Sequence, residues 1–146
     1  MPGNSVTVTE SGAGTFAQIV TAGRHVILAD ESKEAGGRDL GPSPYDFLKT
    51  ALGACTAMTL RSFALRKGWQ VGSISVTVTH WKVAAAEGQR MTDRFERQIA
   101  IAGEINEEQK ARLLQIAEGC PISVTLQHTS QITTKLSDQL TVMMGT

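Results

Sequence analysis

The chain of 146 residues carries 14 basic and 14 acidic side chains, with 41% apolar and 19% charged residues. That is ordinary globular usage, and one domain spanning residues 1–146 is expected. With a formal net charge of zero and no polybasic run, the sequence advertises neither a basic face for nucleic acid nor a basic segment for an anionic membrane.

The start, Met1-Pro2-Gly3-Asn4, has no charged or apolar run of the kind that opens a signal peptide, so a cytoplasmic protein is expected. Ser5 to Glu10 alternates, with Val6 and Val8 on one side, and reads as a strand. Ser11-Gly12-Ala13-Gly14 signals a turn, so Thr15 to Thr21 is the expected returning arm. His25 to Asp30 reads as a third strand. Residues 31–42 follow as a long polar loop, of a length that often carries function.

Ser43-Pro44-Tyr45-Asp46 opens a helix: Ser43 caps, Pro44 suits the first turn, and Asp46 completes a capping box. The helix is expected to run to about Lys67 and stop at Gly68. Ala51, Leu52, Ala54, Cys55, Ala57, Met58 and Leu60 leave it no polar stripe, so it is expected to be buried all round. In so short a chain that demands a sheet with other helices, or a second subunit. The longest uncharged, mostly apolar stretch, Thr50 to Leu60, is far short of the roughly 20 residues that span a bilayer.

Ile74, Val76 and Val78 alternate on a fourth strand. After the polar loop 84–90, Phe95, Ile99 and Ile101 alternate on an antiparallel fifth. Asn106 with Gln109 forms a second capping box, and Gly119 ends that helix. Cys120-Pro121 opens a short helix to about Gln127, and Gln131 to Leu136 is expected as a final strand. The order of strands and helices defines an α+β fold.

The two cysteines cannot build a zinc cage alone, and His25, His80 and His128 lack ligand spacing, so no metal is expected. Cys55 sits mid-helix, where a free cysteine is usually a packing residue. As a nucleophile it would need a cation from elsewhere, because mid-helix amides are already bonded. Cys120 is expected at a helix N-cap, where free amides and the helix dipole favour a thiolate; the alternative is a small residue at a junction.

The stretch Gly41-Pro42-Ser43-Pro44-Tyr45-Asp46-Phe47-Leu48, continued by Ala51-Leu52-Gly53-Ala54-Cys55-Thr56-Ala57-Met58-Thr59-Leu60-Arg61, resembles the central helix of the OsmC/Ohr family. Cys120-Pro121-Ile122-Ser123-Val124-Thr125-Leu126 resembles its second cysteine motif, and the element order is similar throughout. The resemblance implies antiparallel sheets wrapped around the central helix of an intertwined homodimer, with active sites at the subunit interface. It implies a thiol peroxidase in which Cys55 attacks an organic hydroperoxide and Cys120 resolves the sulfenic acid as a disulfide. It also implies an external dithiol reductant, often a lipoylated protein, and no cofactor.

The best-studied members of that family activate the thiolate with a Glu–Arg pair. Tyr45 stands at the place of the Glu, with Asp46 beside it as the candidate substitute. Arg38, in the glycine-bearing loop, is the first candidate for the Arg, and Arg24 the second; Arg61 is too far along the helix from Cys55. The motif after Cys120 lacks the basic residues that many members carry. Two other readings compete with the peroxidase: a thiol/disulfide sensor or repair protein, and a non-catalytic module holding a small apolar ligand.

Overall fold

The computed structural model describes residues 4–137. They form two compact units, one of residues 4–47 with 132–137 and one of Leu48–Gln131. The whole is an α+β fold with two antiparallel sheets. Among the described residues, no helix is long and apolar enough to cross a membrane.

The first unit holds a meander of β1 (Val6–Glu10), β2 (Gln18–Ala22) and β3 (His25–Ala29), with Val8 opposite Val20 and Val20 opposite Ile27. The returning arm starts at Gln18 and not at Thr15. Ser11 N–H closes on the Ala17 carbonyl at 3.0 Å, so the turn consumes Thr15 and Phe16.

The loop after β3 is organised by one buried carboxylate. Asp30 accepts hydrogen bonds from the backbone N–H groups of Glu31 (2.7 Å), Arg38 (3.1 Å) and Leu40 (3.2 Å). Gly37 and Gly41 are needed there for close approach. A Cβ on Gly37 would lie 2.1 Å from the Glu31 carbonyl oxygen, and one on Gly41 would lie 2.4 Å from that of Leu28. Burial pushes the Asp30 carboxyl up, but the three N–H donors and the Arg38 charge together hold it below its ordinary value of 3.8. A depressed acid contributes stability that is complete above its unfolded value and is lost as pH falls through its folded one. Asp30→Asn is therefore expected to be less stable than the parent at neutral pH. The gap should close below about pH 4, measured by urea unfolding across pH. A gap that stays constant down to pH 2 would remove the carboxylate from this role.

Residues 131–137 form no strand, which corrects the expectation for Gln131 to Leu136. The alternation was present, but a strand needs an edge to pair with, and none of the described strands pairs with this segment. Ile132 and Leu136 are exposed.

Helix α1 (Pro44–Lys67) starts as its sequence dictates. Asp46 N–H donates to Ser43 Oγ and Ser43 N–H to Asp46 Oδ2, at 3.3 and 3.1 Å. It ends at Gly68, whose φ of +68° suits a residue without Cβ. Its buried stripe is Leu52, Thr56, Leu60, Phe63 and Ala64. Burial all round is not met within one chain, since Met58 and Leu65 are each 70% exposed. The reason is that a single layer covers the helix. That layer is the hairpin of β4 (Val71–Val83) and β5 (Thr92–Gly103), with helix α2 (Glu107–Glu118) beside it.

Helix α1 approaches β4 at Gly53, where a Cβ would stand 3.4 Å from Val78 Cγ2. Leu60, Phe63, Leu113 and Ala117 form the core of this unit, packed against Trp69, Ile74, Ile99 and Ile101. Helix α2 opens with the expected Asn106–Gln109 capping box. Helix α3 (Pro121–Gln127) follows after Gly119 and Cys120.

Candidate functional site

The second unit brings the two cysteines together. Cys55 lies on α1 next to the buried stripe and is half-buried. Cys120 is fully buried at the N-cap of α3. The N-cap placement has a local cause: Pro121 takes the first helical position, and Ser123 N–H donates to Cys120 Sγ at 3.3 Å. Cys55 lies close to the same sulfur.

Burial alone would push the Cys120 thiol up. Hydrogen bonds from Ser123 N–H, the Cys55 thiol, the Thr56 hydroxyl and Ile122 N–H outweigh it and hold the group below its ordinary value of 9.0.

A charged residue stands beside this pair. Arg97, on β5, donates to Thr56 Oγ1 at 3.1 Å, to the Ala117 carbonyl at 2.9 Å and to Ser123 Oγ at 3.3 Å. Its remaining charge partner is Glu118, 3.5 Å away. Thr56 Oγ1 in turn lies 2.7 Å from the Leu52 carbonyl and 3.7 Å from Cys120 Sγ.

The two sulfurs differ in access. Cys55 lines an open groove of about 550 Å³ with Ala51, Met58, Ser62, Arg66 and Ile122. Leu52 lines a separate groove with Arg97 and Glu118, because it belongs to the buried stripe of α1. Chemically, the arrangement is an accessible thiol in contact with a buried thiol whose anion is already solvated by protein donors.

A family model described as OsmC-like protein matches residues 36–135, which include both cysteines and Arg97. The chain belongs to the OsmC-like family. Its fold is that of solved OsmC-like structures at low sequence identity. An OsmC-like protein from Mycoplasma pneumoniae is 18% identical with a TM-score of 0.72, over 86% of this chain and 88% of that one. The organic hydroperoxide resistance protein OsmC from Legionella pneumophila is 19% identical with a TM-score of 0.66, over 87% and 90%. An organic hydroperoxide resistance protein from Elizabethkingia anophelis, solved with thiocyanate bound, is 20% identical with a TM-score of 0.65, over 86% and 88%. No curated protein matches the sequence.

The other residues singled out in this OsmC-like chain have defined places. Arg38 belongs to the first unit, where its guanidinium donates to the Ala13 carbonyl at 2.6 Å. Arg24 is exposed in the turn between β2 and β3, and Tyr45 and Asp46 lie in the first turn of α1, with Asp46 in the capping box. Arg61 turns away to the carbonyls of Val71 and Gly72.

Arg97 is the member of the thiol site that the sequence reading passed over. The signal was present in the alternation Phe95, Arg97, Ile99, Ile101, where a charge occupies an inward position of an apolar strand face. A guanidinium there must find acceptors inside the fold.

Proposed function

We propose that this protein is a cysteine-based peroxidase that reduces organic hydroperoxides. The observation that carries this reading is the contact between a groove-lining Cys55 and a buried Cys120 whose thiolate is favoured. In the proposed cycle the Cys55 thiolate attacks the terminal peroxide oxygen. The O–O bond breaks, the alkoxide leaves as an alcohol after taking a proton, and Cys55 becomes a sulfenic acid. The Cys120 thiolate then attacks the Cys55 sulfur, the sulfenic oxygen leaves as water, and a disulfide forms. A dithiol reductant of the lipoylated-protein class returns both thiols by exchange. Arg38 as activating cation and Asp46 as its carboxylate partner are part of the proposal. A homodimer is also part of it, supported by the uncovered Met58 and Leu65 of α1.

The apolar character of the Cys55 groove supports an organic substrate, since each methylene removed from water contributes about 0.8 kcal/mol. Cumene hydroperoxide should therefore oxidise the reduced protein at least roughly tenfold faster than hydrogen peroxide, with loss of both free thiols. Stopped-flow single turnovers followed by thiol titration measure this. No thiol loss with any hydroperoxide would sink the peroxidase and leave apolar ligand binding as the reading to pursue.

A further inference from the structure

The largely buried cation of the thiol site, its side chain 13% exposed, has a task that the attack on peroxide does not use. Guanidinium donates and never accepts, so its contact with Thr56 forces the threonine oxygen to act as the acceptor. The single Thr56 proton must then point away from Arg97. Two acceptors lie in that direction, the Leu52 carbonyl at 2.7 Å and Cys120 Sγ at 3.7 Å.

We propose that Arg97 and Thr56 form a relay that stabilises Cys120 as the leaving thiolate when the disulfide is reduced, and so set how readily the reductant opens it. Arg97 polarises the hydroxyl and turns its one proton away from the guanidinium, so that it serves the Leu52 carbonyl while Cys120 is neutral and Cys120 Sγ once that sulfur carries charge; both are positioning residues. The assignment rests on the dithiol–disulfide chemistry proposed above for Cys55 and Cys120.

The geometry assigns the two ends of the exchange. Cys120 is fully buried, so an external thiolate reaches only the Cys55 sulfur. Attack there forms a bond between the reductant sulfur and Cys55 Sγ. The Cys55–Cys120 bond breaks and its electron pair goes to Cys120 Sγ. The reductant's second thiol then attacks its own sulfur in the mixed disulfide and releases Cys55. Exchange is faster when the leaving thiol is more acidic. The donors around Cys120 are matched to that requirement: Ser123 N–H at 3.3 Å and the Thr56 hydroxyl, with Arg97 also holding Ser123 Oγ at 3.3 Å. The direction of the Cys120 shift agrees. The charged or titratable groups around it are Cys55 from α1, Arg97 from β5 and Glu118 from α2, and Glu118 pairs with the guanidinium 3.5 Å away.

The test is the midpoint potential of the Cys55–Cys120 couple at pH 7. The disulfide is made with diamide and equilibrated in dithiothreitol buffers, so no peroxide is involved. Thr56→Val is expected to shift the equilibrium about tenfold toward the disulfide, a fall of about 30 mV, and to slow reduction by dithiothreitol. Thr56→Ser keeps the hydroxyl and should restore the parent potential. Arg97→Met should lower the potential in the parent background and have much less effect in the Thr56→Val background, since its charge acts through that hydroxyl. A Thr56→Val potential equal to that of the parent overturns the proposal. So does an Arg97→Met shift that is undiminished without the hydroxyl. Should Arg97→Met fail to fold, the threonine pair alone decides. A parent protein in which diamide forms no internal disulfide sinks both this assignment and the peroxidase reading. Potentials that move as expected in a protein inert to peroxides would sink the peroxidase alone.

Discussion

Cys55→Ser is expected to abolish hydroperoxide consumption, while Cys120→Ser reacts once and stops with a sulfenic acid on Cys55. Two physical tendencies pull in opposite directions here. Cys120 is the thiol whose anion the fold favours, through the N-cap amide of Ser123 and the hydroxyl of Thr56. Ionisation alone would make it the attacker. Access decides otherwise, because Cys120 is fully buried and Cys55 borders a groove that can hold an apolar tail beside its sulfur. The acidic buried thiol is then suited to the second step, attack on the neighbouring sulfenic acid. Mass spectrometry after one equivalent of cumene hydroperoxide, with a sulfenic acid trap present, distinguishes the outcomes. Sulfenic acid on Cys120 in Cys55→Ser, formed at the parent rate, would reverse the roles.

The second large effect concerns stability. Leu60→Ala is expected to lower the unfolding free energy by about 2–5 kcal/mol, the usual range for emptying a fully buried leucine site. Leu60 is wholly inaccessible and packs with Phe63, Leu113 and Ala117, so α1 and α2 both line the void. Neighbours held by Phe63 and Trp69, whose rings meet edge to face at 5.4 Å, cannot easily collapse into it. Urea unfolding at fixed protein concentration measures the loss. A change under about 1 kcal/mol would mean that the core is not organised around this residue. Met58→Ala is the companion measurement. Within one chain Met58 is largely exposed, so a strong and concentration-dependent loss of stability there would indicate that a second subunit covers it.

What the sequence determined by itself lies within a few residues along the chain. Ser43 with Asp46 and Asn106 with Gln109 start their helices through hydrogen bonds that close over one turn. Pro121 places Cys120 at an N-cap for the same local reason. The alternation on Ile74, Val76 and Val78 specified one inward face, because side chains on a strand alternate whatever the strand packs against. The segment 131–136 had a strand's pattern too, yet formed none, since pairing depends on an edge elsewhere in the chain. The thiol site was legible only in part. Both cysteines could be singled out, but their contact depends on how α1 and α3 pack, and no local rule sets that. Arg97 reaches Thr56, Ala117 and Ser123 from a fourth element, so its role arises where β5, α1, α2 and α3 converge. On β5 it is one charge in an apolar row. Only packing supplies the three acceptors that make a largely buried guanidinium tolerable, and with them its reach toward Cys120.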